Sequence, residues 1–277
     1  MSSTSITSRS VAVTNPPAFG RVTHSPDVPP TTLRCGSSGT GDNGRVTLLA
    51  APHPLLLPAP VVLFDLDGTL TDSATGVING FLHAAETVGF AVPDGNLEWL
   101  LGPPMRDTLR SFGLGDDEIE PGLAAYREYY TTTGWSENAL FDGVGAMLAA
   151  VRGTGSRLAV ATSKNESAAV RILEHFGIAD HFEFIGGASE DGVRRAKADV
   201  VAHSLAALGV EAVDAAQGGT SDVVMVGDRE HDIHGAGRFG IPTLFVEWGY
   251  GTEAEGAAAA KTVAAVDDLQ HLLTGKH

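Results

Sequence analysis

Cysteine is almost absent from this sequence, since Cys35 is the only one in 277 residues. A single thiol cannot form an internal disulfide, which excludes a disulfide-stapled scaffold and fits a reducing compartment. Long apolar runs are missing as well, because no stretch approaches the roughly 18 residues needed to cross a bilayer. The sequence therefore predicts a soluble, cytoplasmic protein with no membrane partner.

Basic residues are scarce relative to acidic ones. The chain has 18 Lys and Arg against 34 Asp and Glu, and a net charge of -16. This balance argues against nucleic acid as a partner, because phosphate backbones attract basic surfaces. It does not exclude a small anionic substrate, since a bound cation can invert the local field. Apolar residues make up 43% of the chain, which is typical of a globular protein with a sizeable core.

The first sixty residues have no sustained hydrophobic period and are rich in Ser, Thr, Pro and Gly. Such a segment buries too little apolar surface to offset the entropy of ordering. Residues 1–60 are therefore predicted to be a disordered or leader segment. Its excess of arginine over acidic residues is typical of organelle transit peptides, which makes an organelle the alternative location. A functional arm and an over-long translation start are further alternatives.

After Pro60 the sequence alternates short apolar runs with helical patterns. Strands that alternate with helices indicate right-handed crossovers and a parallel sheet. Residues 61–73 and 141–277 are therefore predicted to form an α/β core. The apolar runs, typical of strands buried on both faces, are VVLF (61–64), RLAVAT (157–162), FEFIGG (182–187), DVVMVGD (222–228) and PTLFVEW (242–248). The helical patterns cover 144–152, 166–177 and 198–209.

Residues 74–140 interrupt this alternation with three helical patterns and no strand between them. The patterns are ATGVINGFLHAAETVGF, NLEWLLGPPMRDTLRSF and EIEPGLAAYREYYTTTGW. A purely helical insertion after the first strand predicts a second, small, all-helical domain beside the sheet.

Polar residues follow the predicted strands at the edge where parallel sheets bind ligands. Asp65 and Asp67 follow the first strand, and Asp228 follows the fourth. Thr162, Ser163 and Lys164 follow the second strand, and Lys197 lies after the third. Each of these residues alone fits a helix cap or a solvated loop. Four strand ends with such residues together predict a site at this edge.

The chemistry of these residues favours phosphoryl transfer. A spacing of two points Asp65 and Asp67 roughly the same way, so that one can act as nucleophile and the other as proton donor. Gly68 allows a tight turn whose amides are expected to face an anion. Asp228 and Asp232 add carboxylate oxygens suited to Mg²⁺. Donors for phosphoryl oxygens are expected from Lys197 and from the hydroxyl after the second strand.

These segments resemble the four ordered motifs of the haloacid dehalogenase-like hydrolase superfamily: DLDGTLTDS, VATSKN, the lysine of RRAKADV, and VGDREHDIHGA. The resemblance covers about residues 61–275. It implies a Rossmann-like core with a helical cap domain inserted after the first motif. The segments LLGPPMRDTL and VGDREHDIHGA are most similar to phosphoglycolate phosphatase-like enzymes.

The resemblance also implies roles. Asp65 would attack phosphorus and become an aspartyl phosphate, and it would ligate Mg²⁺. Asp67 would protonate the leaving oxygen and then activate water, while its main-chain carbonyl binds the metal. Asp228 would ligate the metal, and Asp232 matches the second acid of the fourth motif, which binds it directly or through water. The expected substrate is a small phosphorylated metabolite.

The phosphoryl oxygens would be held by Thr162, Ser163 and Lys197. The motif lysine is followed by Ala198, where many members of the superfamily have proline, which loosens the turn and keeps the charge. Arg106, after GPP in the cap, is the candidate for contacting the substrate beyond its phosphate.

Three alternatives share this fold. Dehalogenation needs no metal cluster or second acid, so Asp67, Asp228 and Asp232 argue against it. A phosphomutase would carry a histidine where this chain has Val77. A non-catalytic phosphate-binding regulatory module would have lost the nucleophile or the lysine, and the chain keeps both. The sequence therefore predicts a Mg²⁺-dependent phosphatase.

Overall fold

Strands and helices alternate along most of the computed structural model, which describes residues 53–101 and 105–276. The strands are β1 Val61–Phe64, β2 Thr71–Asp72, β3 Ala139–Leu140, β4 Arg157–Asn165, β5 Phe184–Ala188, β6 Val223–Gly227, β7 Thr243–Val246 and β8 Lys261–Val263. The helices are α1 Ala74–Val88, α2 Met105–Ser111, α3 Asp116–Thr132, α4 Val144–Arg152, α5 Glu166–His175, α6 Lys197–Ala207, α7 Glu230–Gly237, α8 Glu253–Gly256 and α9 Val266–Thr274.

Six of the strands form one sheet in the order β5-β4-β1-β6-β7-β8, and all neighbours in it are parallel. The chain adds strands to one side of β1 and then to the other, so β1 lies at the switch point of the topology. In such sheets the crevice beyond the carboxyl end of the switch strand is the usual ligand site. The predicted Rossmann-like α/β core is confirmed.

Burial on both faces explains why the strands are apolar without interruption. All four residues of β1 are at most 5% exposed, because helices cover the sheet on both sides. Leu158 and Val160 of β4 point into one apolar cluster, while Ala159 and Ala161 point into the other. This alternation anchors each strand firmly, so its carboxyl end presents side chains at a fixed position.

The chain leaves the core at β2 and returns at β3, and these two short strands pair antiparallel. Between them α1, α2 and α3 form the cap, whose own apolar cluster includes Phe81, Leu109 and Ile119. Helix α1 packs directly on the turn that follows α3, since a Cβ at Gly76 would lie 2.1 Å from Gly134 O. The cap is helical as predicted, and the β2–β3 ribbon forms its connection to the core.

Two features of the core go beyond the sequence prediction. β4 runs three residues further than predicted, through Asn165, whose side chain caps α5 by accepting from the N–H groups of Ser167 and Ala168. The edge strand β8 was not predicted, because KTV is short and two of its three residues are exposed.

Among residues 53–101 and 105–276, no helix combines the length and apolarity needed to cross a membrane.

The segment before β1 packs on the core. Ala59 is 3% exposed and belongs to the main apolar cluster, and its carbonyl accepts from Ser156 Oγ at 2.7 Å. His53 N–H donates to Gly240 O at 2.8 Å. The predicted boundary at residue 60 is therefore wrong for residues 53–60, which are too short and too rich in proline to show a period. The rest of the predicted leader, residues 1–52, lies outside the described residues.

Two truncations test this boundary. Deletion of residues 1–60 should lower the thermal midpoint by roughly 5 °C relative to deletion of residues 1–52, because it removes apolar burial and a hydrogen bond worth about 2 kcal/mol together. Deletion of residues 1–52 should leave turnover and midpoint close to those of the full chain, as the composition of that segment predicts. Calorimetry of the three proteins makes the comparison, and equal midpoints for both truncations would show that residues 53–60 add no stability.

Candidate active site

Polar side chains from several loops meet beyond the carboxyl end of β1. Asp65 follows β1 directly, and its main-chain N–H donates to Val226 O in the neighbouring strand at 2.9 Å. Thr162 lies near the carboxyl end of β4, Lys197 begins α6, and Asp228 follows β6. The switch point of the sheet thus brings together residues that are far apart in the sequence.

Three carboxylates crowd together at this point. Asp65, Asp228 and Asp232 each offer one oxygen, and these atoms all lie within 4.8 Å of one another. Asp228 and Asp232 are fully buried, and Asp65 is 8% exposed. Like charges repel strongly where water is excluded. The cluster therefore needs positive charge close by.

Lys197 supplies part of that charge. Its Nζ lies 2.9 Å from Asp65 Oδ1 and 2.7 Å from Asp232 Oδ1, and it donates to Ala161 O at 3.0 Å. Both carboxylate contacts are close ion pairs. Burial alone would lower the pKa of Lys197, but the attraction of Asp232 and Asp65 outweighs it and raises that pKa. The lysine therefore stays protonated.

Asp228 is held by hydrogen bonds on both oxygens. Its Oδ1 accepts from Thr69 Oγ1 at 3.0 Å, and its Oδ2 accepts from Tyr250 N–H at 2.8 Å. Burial, followed by repulsion from Asp65 and Asp232, raises the pKa of Asp228 to about 7. The two hydrogen bonds oppose this shift without cancelling it. The nearby groups therefore do not fully stabilise the negative charge of ionised Asp228.

The donor set fits a hard divalent cation. One ammonium does not balance three carboxylates, so the ionised cluster keeps a net negative charge. Carboxylate oxygens are the ligands that Mg²⁺ prefers. The predicted ligands Asp65, Asp228 and Asp232 are therefore brought together, while Asp67 was predicted to contribute its main-chain carbonyl only.

The carboxylate of Asp67 has a different partner. Its Oδ2 accepts from Lys164 Nζ at 2.6 Å. The same ammonium lies 4.6 Å from the centre of the Tyr130 ring, in cap helix α3. Burial would lower the pKa of Lys164, but the attraction of Asp67 outweighs it and raises that pKa. Lys164 therefore orients Asp67 and connects it to the cap.

The turn after Asp67 is tight as predicted, but its glycine serves another purpose. Gly68 has a φ of 80°, and a Cβ there would lie 2.3 Å from Asp228 Oδ2. Its N–H donates to Thr71 O at 2.7 Å. The Gly68 amide is therefore bound within the turn, and the expectation that amides of this turn face an anion stays a prediction. Glycine is required here because the turn takes a left-handed conformation directly against the Asp228 carboxylate.

A cavity of about 240 Å³, open on one side, lies between the cap and the core at this site. Arg229 contacts the cap from the core side, where its guanidinium donates to Leu101 O at 3.3 Å. Glu255 in core helix α8 pairs with the same guanidinium at 2.8 Å. The core residues that line the cavity are Asp65, Asp67, Thr162, Ser163, Lys164, Lys197, Arg229, His231, Asp232 and Tyr250. The residue that precedes α1 and the cap contribute the other lining residues, Ser73, Val77, Leu100, Leu101, Met105 and Tyr126.

The predicted phosphate-binding residues reach this cavity, whereas the predicted specificity residue does not. Thr162 lines it and is buried, and Ser163 lines it from a more exposed position. Arg106 lies outside the lining, on the cap surface, where it pairs with Glu120. Its neighbour Met105 faces the cavity in its place. The position of Arg106 after GPP in the sequence does not indicate which side of helix α2 faces the cavity.

A family model for the haloacid dehalogenase-like hydrolases matches residues 62–246, which is most of the chain. The chain belongs to this family. The match begins inside β1 and ends with β7, so it includes the carboxylates, the lysine and the cap. The resemblance seen in the four motifs is thereby confirmed.

Relatives in this family carry different activities in their names. A tyrosine-protein kinase, PtkA, of Mycobacterium tuberculosis is 48% identical over 218 residues, or 77% of this chain and 72% of that protein. Its solved structure matches with a TM-score of 0.67 over 78% of this chain and 98% of the solved chain. A 5'-nucleotidase of Pseudomonas aeruginosa is 37% identical, over 71% of this chain and 86% of that protein.

A plasmid-encoded phosphoglycolate phosphatase of Cupriavidus necator is 31% identical, over 78% of this chain and 92% of that protein. It supports the predicted likeness to the phosphoglycolate phosphatase group. Together with the family match, the hydrolases among these relatives confirm the predicted enzyme class, a phosphoric monoester hydrolase.

Two side chains of this hydrolase were missed as site residues. Lys164 was noted only as a polar residue at a strand end, and its pairing with Asp67 depends on a loop 97 positions away in the sequence. Tyr250 follows β7 in a segment without a motif. Its hydroxyl accepts from Ser73 N–H at 2.6 Å and donates to Asp72 Oδ1 at 2.8 Å. Tyr250 thus connects the loop that holds Asp228 to the start of the cap.

The raised pKa of Asp228 predicts how the metal-free protein responds to pH. Because this pKa moves from 3.8 to about 7 on folding, the folded state binds more protons between these values. This extra protonation stabilises the folded state at low pH, and the stabilisation is lost as the pH rises through about 7. The loss should reach up to about 4 kcal/mol. Mg²⁺ should remove most of it, because the cation stabilises the ionised carboxylates.

Thermal midpoints measured in a chelator and in Mg²⁺ from about pH 5 to about pH 8 test this linkage. The matched control is Asp228→Asn, which cannot titrate at this position and should show a flatter profile in the chelator. A wild-type midpoint in the chelator that rises steadily over this window, parallel to that of the control, would contradict the expected direction.

Proposed function

We propose that the chain is a Mg²⁺-dependent phosphatase that hydrolyses a small phosphomonoester through an aspartyl phosphate on Asp65. One observation carries the proposal. Asp65 directly follows the switch strand of the sheet, lines the cavity between cap and core, and lies 2.9 Å from a buried ammonium. A carboxylate that is fixed in position and faces such a cavity is suited to nucleophilic attack on phosphorus.

The residues around Asp65 supply the remaining parts of the reaction. Lys197 and the Thr162 hydroxyl lie where they can bind the non-bridging oxygens of the phosphoryl group, and the ammonium offsets their negative charge. In the first step an Asp65 oxygen forms a bond to phosphorus as the bond to the leaving oxygen breaks. In the second step water attacks phosphorus, which releases phosphate and restores the carboxylate.

Asp67 is suited to the proton transfers of both steps. It lines the same cavity as Asp65, and Lys164 holds its carboxylate in place at 2.6 Å. One oxygen is bound by the lysine, and the other is buried without a partner in the described residues. In the first step Asp67 donates a proton to the leaving oxygen, and in the second it takes one from water.

The metal would be held by Asp65, Asp228 and Asp232, with the Asp67 main-chain carbonyl as the further predicted ligand. When bound, Mg²⁺ supplies charge neutralisation, which lets the anionic phosphoryl group approach a carboxylate nucleophile. Val77, which stands where a mutase is expected to carry a histidine, lines the cavity with an apolar side chain. This favours hydrolysis over the phosphomutase alternative.

The relative named as a tyrosine-protein kinase favours a second candidate function, transfer of the phosphoryl group to a phenol. The same first step serves both functions, because an aspartyl phosphate can be attacked by water or by a hydroxyl group that Asp67 deprotonates. The two functions differ only in the acceptor of the second step. The family placement and the other named relatives favour water.

The share of the phosphoryl group that is transferred to water, and the share that is transferred to a phenol, distinguish these two candidate functions. The protein is given acetyl phosphate or ATP with Mg²⁺ and a tyrosine-containing peptide, and inorganic phosphate and phosphopeptide are quantified together. Hydrolysis predicts that nearly all the phosphoryl group appears as inorganic phosphate. Phosphopeptide that forms at a rate comparable to phosphate, and that disappears in Asp65→Asn, would favour the phosphotransferase.

Replacement of Asp65 by Asn should lower kcat for p-nitrophenyl phosphate by about a thousandfold or more, because the amide cannot act as the nucleophile. The thermal midpoint should not fall, since the change removes one of three crowded negative charges. Asp94→Asn, at an exposed loop of the cap, is the matched control and should keep wild-type kinetics. Near wild-type turnover in Asp65→Asn would show that the reaction does not pass through this residue.

Replacement of Asp67 by Asn should separate the two steps. With p-nitrophenyl phosphate, whose leaving group needs little protonation, the variant should release a rapid burst of p-nitrophenol and then turn over slowly. With an alkyl phosphate, the burst should be lost because expulsion of an alkoxide requires the acid. Stopped-flow absorbance measures the first case and rapid quench the second. Loss of the burst with p-nitrophenyl phosphate, while substrate still binds, would contradict this division of roles.

A further inference from the structure

The part of the cavity farthest from the sheet is apolar. Leu100, Leu101 and Met105 line it from the cap, and Val77 lines it from α1. The phosphoryl-binding residues come from the core, on the opposite side. A phosphomonoester bound with its phosphorus at Asp65 would therefore place its leaving group against these apolar side chains.

The lysines and the arginine that line the cavity already have carboxylate partners. Lys164 pairs with Asp67 at 2.6 Å, and Arg229 pairs with Glu255 at 2.8 Å. Lys197 lies between Asp65 and Asp232. In the described part of the lining, the remaining titratable base is His231, which comes from core helix α7.

A leaving group with a negative charge would disturb these pairs. If Lys164 or Arg229 bound it, the cation would be drawn away from Asp67 or from Glu255. Either exchange leaves one carboxylate partly buried without its cation, and this cost is larger than the gain from a surface ion pair. An unpaired charge against Leu101 and Met105 would lose part of its hydration with no cation to compensate. An uncharged group meets neither penalty.

Tyr126 completes this wall with a ring and one hydroxyl. Burial raises the pKa of its phenol, which therefore remains neutral. The cavity volume of about 240 Å³ is just below the roughly 300–1,000 Å³ of pockets that hold drug-sized ligands. This volume suits a phosphoryl group together with one ring or a chain of similar size.

We infer that the substrate carries an uncharged, largely apolar leaving group about the size of a single ring, which packs against Leu101, Met105 and Tyr126. The inference rests on the proposed function, because the position of the leaving group follows from attack by Asp65. It distinguishes this chain from a phosphatase for a small carboxylated ester, whose cap would have to offer an unpaired cation.

Two matched pairs of compounds test the inference. Benzylphosphonate and 4-carboxybenzylphosphonate are not hydrolysed, and their dissociation constants with the Mg²⁺-loaded protein are measured by calorimetry. Benzyl phosphate and 4-carboxybenzyl phosphate are compared by kcat/KM. The carboxylate lies far from the leaving oxygen, so the two esters have similar intrinsic reactivity. Both measurements should favour the uncharged compound by about tenfold or more.

Two variants locate the effect in the cap. Met105→Lys places an unpaired ammonium in the wall and should bring the preference close to one or reverse it. Glu120→Gln changes the net charge by the same amount on the outer cap surface, where Glu120 is 61% exposed, and should keep the wild-type preference. An unchanged preference in Met105→Lys would overturn the placement of the leaving group against Met105.

The binding arm separates this inference from the proposed function. Absence of hydrolysis of every ester, with binding that still prefers benzylphosphonate, would refute the phosphatase and leave the apolar subsite in place. Tighter binding of 4-carboxybenzylphosphonate by the wild-type protein would overturn the inference. If that binding were then lost in His231→Gln or Arg106→Gln, the charged leaving group would be assigned to that residue.

Discussion

The confinement of three carboxylates around one ammonium is the constraint on which the rest of this structure depends. Asp65, Asp228 and Asp232 lie within 4.8 Å of one another, and Lys197 is their shared cation. Such a cluster is unfavourable unless its geometry is fixed by other parts of the fold. The parallel sheet provides that rigidity, since Asp65 and Asp228 end two adjacent strands whose residues are almost fully buried.

The glycine turn and the cap serve the same constraint. Gly68 lets the chain pass directly against Asp228, and Tyr250 donates to the same carboxylate while it contacts the start of the cap at Ser73. The cap supplies the apolar wall that faces the reacting group. Low polarity strengthens each electrostatic interaction at the site. The acidic cluster is thus suited to hold a divalent cation.

Much of the core could be predicted from the sequence, because strands buried on both faces read as continuous apolar runs. The ends of VVLF and DVVMVGD placed Asp65 and Asp228 correctly, since strand ends meet at one edge of a parallel sheet. The ordered motifs added Thr162 and Lys197. These predictions depended on local patterns and on one topological rule, and both leave a clear signal in the residues.

The features that could not be predicted depend on contacts between distant loops. The pairing of Lys164 with Asp67 and the hydrogen bonds of Tyr250 follow from how the cap docks, and no local period encodes that. Arg106 and Met105 are adjacent in sequence, yet only Met105 faces the cavity. Residues 53–60 pack on the core through a few contacts that proline-rich composition conceals.

Chemical trapping can show whether Asp65 carries the phosphoryl group during turnover. The Mg²⁺-loaded protein is mixed with substrate, quenched in acid within the first turnover, digested, and mapped by mass spectrometry. The covalent mechanism predicts a phosphoryl group on the peptide that contains Asp65, stable to the acid quench and labile to hydroxylamine, which disappears on a longer incubation. Release of phosphate in the first turnover with no phosphorylated peptide, or with the group on another residue, would contradict it.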